Sequence, residues 1–312
     1  MVRILGVNYY SNGLGGDSME APSSYEELLA RFLEWARNED SVRALLVLGS
    51  RVRKGESADQ WADLDLLLVV KNPQLILYET EWLDSISPFL LSFVETTAVA
   101  DQLERRVLFE GMYDVDLSVV SVDIFDLLGG RLPREILFNV FGRGHRVVLD
   151  KDGREERLSS ALEGIDMIPA RASPSKEEYL GVVNDFLYHV VWTAKHIRRG
   201  ELFWAKRSLD CHLMPIVLQM LEWHARAMHG PEYDTWFRGR FLEKWADSKA
   251  IADLREASAR YDDGELRGGL SALFKLFQRV ATETCEKLSL PYPKSESQTI
   301  AGWLEDCLTV RL

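Results

Sequence analysis

Two stretches of the amino-terminal half, ALLVLGS at 44–50 and the end of WADLDLLLVV at 61–70, are apolar almost throughout, and this restricts the possible folds more than any other feature. Such a run, without alternation, indicates a buried strand that needs packed elements on both sides of its sheet. Around this pair the pattern supplies candidates for the cover. Ser24, with Glu27 three residues on, opens a helix in which Leu28, Leu29, Phe32, Leu33 and Ala36 fall on one side. Residues 73–87 and 123–141 are predicted helical, 89–99, 104–110 and 114–122 extended, and 146–154 a short strand running into a turn.

After about residue 156 the period changes. Segments 176–199, 201–229, 238–260 and 265–288 carry helical spacing, separated by RRG, HGP and DDG. The expected organisation is a loose arm over 1–22, an α/β domain over 23–156 and a helical domain over 157–312. With 312 residues, 46% of them hydrophobic, the chain can bury two cores.

Charge narrows the partners. The net charge is −12; residues 1–156 hold 16 basic and 27 acidic side chains, a balance of −11. A surface that neutralises phosphates along a nucleic acid needs a basic stripe, so nucleic acid is an unexpected partner, and metal ions or a cationic small molecule suit the acidic half better. Cys211, Cys285 and Cys307 form no CxxC pair and no disulfide framework. The start lacks the apolar core of a signal peptide, and no uncharged apolar run approaches the ~20 residues of a membrane span. The expectation is a cytoplasmic protein, a monomer or weak dimer, with no membrane partner.

The chemistry concentrates at Asp63 and Asp65. In a strand, residues two apart share a face, so both carboxylates project together while Leu64 and Leu66 point the other way. Their mutual repulsion is relieved by a hard cation such as Mg²⁺, although acidic residues are also common at solvated strand ends. Fourteen residues before Asp63, at the end of the preceding strand, stands Gly49, followed by Ser50 and Arg51. Glycine admits a phosphate close to the backbone, and Ser50 and Arg51 add donors, so the strand end forms an anion cradle beside the carboxylate pair. A third carboxylate is available from DVDLSVV, where Asp114 and Asp116 share a face and periodicity does not choose between them.

A strand ending in GS, a hairpin-like loop and a strand opening with DxD resembles the layout of the nucleotidyltransferase superfamily of the DNA polymerase β type. The string GSRVRKGESADQWADLD, with Asp59, Trp61, Asp63 and Asp65, is similar to that of the aminoglycoside 6-adenylyltransferases, also called streptomycin adenylyltransferases. VDLS at 115–118, VVLDKDG at 147–153, NDFLYHVVWTAK at 184–195, ELFWAKRSLD at 201–210 and the closing Tyr292-Pro293 extend the resemblance over residues 24–293. It implies an α+β fold: a polymerase-β-like domain with a mixed sheet, followed by an all-α helical bundle. It also implies transfer of AMP from ATP to a hydroxyl of streptomycin with Mg²⁺, and it favours Asp116 over Asp114. Residues 89–110 do not match the family's pattern, and the arm before residue 20 has no counterpart.

Asp63, Asp65 and Asp116 are then the expected metal-binding and catalytic residues, with Asp116 as general base. Gly49, Ser50 and Arg51 would hold the triphosphate of ATP. In the 176–199 helix one side is apolar, while Asp185, Tyr188, His189, Trp192, Lys195, His196 and Arg199 lie opposite. Lys195 is expected on phosphate oxygens, and Asp185 and Trp192 on a cationic, ring-shaped acceptor through charge and cation–π contact. Asp210 is a further acceptor candidate and Arg238 or Arg240 a further phosphate candidate, with surface charge the competing reading for each, Asp210 as an i,i+4 partner of Lys206. Cys211-His212 and His224 with His229 match no zinc spacing. Other acceptors, whether another small molecule, a protein or an RNA, remain open under the same mechanism. So does a non-catalytic, antitoxin-like nucleotide binder.

Overall fold

A computed structural model describes residues 4–9, 20–53, 55–56, 58–96, 103–127, 134–164 and 170–309. The chain divides into two compact units, Met1–Pro169 and Ala170–Leu312. The first holds a seven-stranded mixed sheet in the order β1-β4-β5-β6-β3-β2-β7. Its strands are β1 (Ile4–Tyr9), β2 (Val42–Val47), β3 (Leu64–Val70), β4 (Phe89–Thr96), β5 (Leu103–Phe109), β6 (Tyr113–Ser121) and β7 (Arg146–Asp150).

The two apolar runs become the neighbouring antiparallel strands β2 and β3, and both faces are covered as expected. On one face Leu45, Val47, Leu64, Leu66 and Leu68 meet Leu28, Phe32 and Ala36 of α1 (Tyr25–Asn38). On the other, Ala44, Leu46, Leu67 and Val69 meet Phe125, Leu137, Phe141 and Leu158. These four come from α3 (Val122–Asp126), α4 (Arg134–Phe141) and α5 (Arg154–Leu162). The span 73–87 is only partly helical, with α2 at Pro73–Tyr78 and a short turn at Leu83–Ser85. β3 and β6 run parallel with Asp65 opposite Asp116. That register carries the alternation of both strands to one point.

Two boundaries differ from the sequence reading. Within the arm expected to be loose, Ile4–Tyr9 forms β1 on the edge of the sheet beside β4; β-branched and aromatic residues favour extended backbone, and an edge strand needs a partner on one side only. Residues 10–19, the Gly-rich remainder of that arm, lie outside the described residues. The division between units falls at residue 169 rather than 156, because α5 buries Leu158 against the sheet and so belongs to the first unit.

The second unit is helical, with α6 (Lys176–Arg198), α7 (Leu202–Ser208), α8 (Met214–His229), α9 (Leu242–Trp245), α10 (Ser248–Ala257), α11 (Asp263–Leu288) and α12 (Lys294–Thr309). Ser175 and Glu178 close a reciprocal capping box at the start of α6. Along its apolar side Phe186 stacks on Phe277 at 3.7 Å between ring centroids, and the Tyr179 hydroxyl donates to the Ala281 carbonyl at 2.6 Å. The expected helix over 201–229 contains a π-helical turn at Leu209–Leu213 between α7 and α8. The helix expected over 238–260 breaks, with Phe241 in the left-handed region at φ 55°. α12 was not anticipated; only Ser297 and Leu304 are fully buried in it, too thin a stripe to set a period. Among the described residues no helix is long and apolar enough to cross a membrane.

Candidate active site

Asp63 precedes β3, Asp65 lies within it and Asp116 lies on the adjacent β6; one carboxylate oxygen of each falls within 4.8 Å of the others. The structure thus brings these three carboxylates together. Asp114 does not join them. Its Oδ1 accepts from the Tyr25 hydroxyl at 2.6 Å, and burial together with this bond raises the Tyr25 hydroxyl above the usual phenol range.

The turn after β2 is built around Asp65. Gly49 opens a single 3₁₀ turn, Gly49–Arg51, at φ +65°. A Cβ on Gly49 would stand 1.8 Å from Asp65 Oδ2, so only glycine leaves that carboxylate its position. The Leu48 amide donates to the Asp65 carbonyl at 2.9 Å and ties the end of β2 to the same residue. Ser50 is buried at 6% exposure, yet its Oγ has no hydrogen-bond partner. A buried hydroxyl without a partner is costly, and here it lies on the turn that approaches the carboxylates.

Arg51 is placed differently from the expectation of an anion donor. Its Nε donates to the Asp63 carbonyl at 2.9 Å and its Nη2 to the Ala62 carbonyl at 2.5 Å, while the guanidinium covers the Tyr25 ring at 3.8 Å. In this arrangement it closes the loop and fixes the main chain of Asp63. Asp59 accepts from the Trp61 amide at 2.9 Å and shapes the same loop, with Trp61 exposed.

Sequence reasoning missed Arg106 on β5. Its guanidinium contacts Asp116 Oδ2 and Glu95, and it reaches Glu104 at 2.7 Å. Burial raises Asp116 above the ordinary carboxylate range; Arg106 opposes this and Asp63 adds to it. Burial likewise raises Glu104. Arg106 is itself shifted upward: burial would lower it, but Asp116, Glu104 and Glu95 outweigh that. The available signal was alternation along LERRVLF, which puts Glu104 and Arg106 on one face and Arg105 on the other. Arg105 is fully buried, donating to the Ile76 carbonyl at 2.9 Å and to Ser92 Oγ at 2.8 Å.

The remaining expected residues lie in the second unit. Asp185 pairs with His189 at 2.6 Å and with His212 at 3.0 Å. Trp192 is half-buried against His196 at 3.8 Å and Trp204 at 5.8 Å between ring centroids. Lys195 is exposed, 6.0 Å from the Trp303 ring. Asp210 forms an i,i+4 ion pair with Lys206, the surface arrangement weighed against a binding role. Arg240 is exposed, and its carbonyl accepts from Trp245 Nε1 at 3.0 Å.

Three carboxylates delivered by a mixed sheet to one point, beside a turn where any Cβ would strike Asp65, are an arrangement suited to a nucleotidyltransferase. The family is narrower. Residues 23–307 match the profile described as streptomycin adenylyltransferase, and the chain belongs to that family. It is similar to an aminoglycoside 6-adenylyltransferase of Bacillus subtilis (strain 168), 20% identical over 276 residues that cover 86% of this chain and 93% of the relative. Proteins of the same name from Staphylococcus aureus and Campylobacter jejuni are 21% and 18% identical, covering 72% and 86% of this chain and 77% and 91% of the relatives. A crystal structure of an aminoglycoside 6-adenyltransferase from Bacillus subtilis aligns with 93% of this chain and 100% of its own, at 17% identity and a TM-score of 0.43.

Proposed function

We propose that this adenylyltransferase catalyses Mg²⁺-dependent transfer of AMP from ATP to a hydroxyl of a streptomycin-like aminoglycoside, releasing pyrophosphate and conferring resistance. The observation that carries the reading is the convergence of Asp63, Asp65 and Asp116 next to the turn that holds an unpartnered Ser50 hydroxyl. The three carboxylates fit Mg²⁺, since their oxygens are hard donors held close together and their mutual repulsion calls for a cation. When bound, Mg²⁺ supplies neutralising charge for phosphate oxygens.

The chain's own groups do the rest. Gly49 lets the backbone of the turn approach a phosphate, and Ser50 Oγ donates to one of its oxygens. Arg51 keeps Asp63 in place through its carbonyl. As the acceptor oxygen bonds to the α-phosphorus and the bond to pyrophosphate breaks, the acceptor's proton passes to Asp116. Arg106 holds Asp116 Oδ2, so Oδ1 is the oxygen assigned to that proton.

On the helical unit we assign Asp185 and Trp192, with Asp210, to the cationic acceptor, and Lys195 and Arg240 to nucleotide phosphates. An acid and a half-buried indole on the same helix suit an ammonium or guanidinium group. The net charge of −12 adds a long-range attraction that weakens with salt. Neither nucleic acid nor membrane enters this reaction, which is assigned to the cytoplasm and to a monomer or weak dimer.

The test is pyrophosphate release from Mg·ATP with and without streptomycin. Release that depends on streptomycin and disappears in Asp65→Asn, with the fold retained by circular dichroism, is the expected result. No release with any aminoglycoside would overturn the acceptor, and normal turnover by the Asn variant would overturn the metal assignment.

A further inference from the structure

We propose that Asp185, His189 and His212 form a second divalent-cation site, in the helical unit, selective for a borderline transition ion such as Zn²⁺. Asp185 and His189 are one helical turn apart on α6, which brings their side chains together on one side of the helix. His212 comes from the π-helical turn Leu209–Leu213, where the extra residue per turn re-aims the side chains; such turns recur at functional sites. One ligand atom from each residue falls within 4.8 Å of the other two. Asp185 Oδ1 is their common partner, 2.6 Å from His189 Nδ1 and 3.0 Å from His212 Nε2.

Ligand atoms around tetrahedral Zn²⁺ lie about 3.3 Å apart, as follows from Zn–N and Zn–O bonds of about 2.0–2.2 Å. Both separations from Asp185 Oδ1 are shorter than this and the two imidazole nitrogens lie within 4.8 Å, so enclosing an ion requires the side chains to rotate and His189 Nδ1 to leave the Asp185 carbonyl, now 3.0 Å away. They are 32%, 43% and 42% exposed for His189, Asp185 and His212, so an ion can enter and a fourth position stays open to water. Two imidazole nitrogens and one carboxylate suit Zn²⁺, Co²⁺ or Ni²⁺, whereas Mg²⁺ prefers oxygen ligands alone. The chain therefore sorts cations by hardness: hard ions to the aspartates of the first unit, borderline ions to this cluster. An ion here would also neutralise Asp185, so it and a cationic acceptor are alternatives for that carboxylate.

The site does not depend on which reaction the first unit catalyses, and it is tested with neither nucleotide nor acceptor present. The full-length chain in excess Mg²⁺ is titrated with ZnCl₂ by calorimetry, and with CoCl₂ while the visible spectrum is recorded. One equivalent of Zn²⁺ is expected, with tetrahedral Co²⁺ bands that lack a thiolate charge-transfer band. His189→Gln and His212→Gln should each weaken binding by at least about tenfold. Asp65→Asn and Cys211→Ser should leave it unchanged, the latter because Cys211 is the exposed thiol next to His212. No binding in excess Mg²⁺ would overturn the proposal. So would unchanged affinity in both folded His variants, or a thiolate band in the Co²⁺ spectrum of the unmutated chain.

Discussion

Ser50→Ala separates stability from activity in a way that few substitutions in a core would. Ser50 is 6% exposed and its Oγ has no partner. A hydroxyl left unsatisfied in a buried position costs about 1–3 kcal/mol. Alanine removes that cost, and the cavity left by one oxygen atom is small. The free enzyme should become more stable, and each kcal/mol corresponds to about 2–4 °C for a unit of this size. With nucleotide the sign reverses. A hydrogen bond to a charged oxygen contributes about 1.5–3 kcal/mol, and at 1.4 kcal/mol per factor of ten its loss lowers kcat/KM for ATP by about 10- to 100-fold. Thermal unfolding without ligand and pyrophosphate-release kinetics across ATP concentrations measure the two halves on the same preparation. A variant that is less stable than the parent and turns over normally would refute the reasoning, because the hydroxyl would then be a structural group with a partner inside the protein.

Three further substitutions have measurable outcomes. Gly49→Ala places a Cβ 1.8 Å from Asp65 Oδ2 at a φ of +65°; displacing that carboxylate by about 1 Å should cost about 100-fold in turnover, measured by pyrophosphate release, and parental kcat would contradict the placement. Arg106→Met leaves Glu95, Glu104 and Asp116 without their cation. Breaking a buried pair costs about 3–5 kcal/mol, reduced to about 2 kcal/mol because solvent reaches Arg106, and urea unfolding checks it. The same change lets Asp116 rise further, so the acidic limb of the pH–rate profile should move to higher pH. Asp152 is held well below the usual carboxylate range by hydrogen bonds from Arg43 and then Arg154. Its contribution is present above the unfolded value of about 3.9 and is lost as pH falls below it, so the melting temperatures of Asp152→Asn and the parent should converge on acidification.

What the sequence made legible was what one period or one spacing could carry. Asp63 and Asp65 share a face because alternation is local, and the third carboxylate followed once Asp116 was preferred to Asp114. Alternation alone leaves that choice open; the fold makes it by giving Asp114 to the Tyr25 hydroxyl and Asp116 to the parallel register with Asp65. Arg106 was hidden by identity of type. Two arginines stand side by side in LERRVLF, one buried on main-chain carbonyls and the other among carboxylates, and only the pairing of β5 with β6 sets Arg106 opposite Asp116. His212 was hidden by distance: its approach to Asp185 depends on a π turn that no helical period announces.

Arg51 shows why residue type misleads when a loop has to close. An arginine beside a glycine-serine turn suggests a phosphate ligand on chemistry alone, since its donors fit anionic oxygens. But the chain from Arg51 to Asp63 must return so that Asp63 meets Asp65, and the carbonyls at its end need donors. Arg51 meets that need, with the Tyr25 ring beneath it. The proposed phosphate contacts at this turn then fall to neutral groups, the backbone and the Ser50 hydroxyl, with positive charge left to the cation between the aspartates. The turn is thereby coupled to the carboxylates at both ends: Gly49 makes room for Asp65, and Arg51 holds Asp63. A disturbance of the turn would reach the clustered carboxylate oxygens first and the proposed phosphate contacts second.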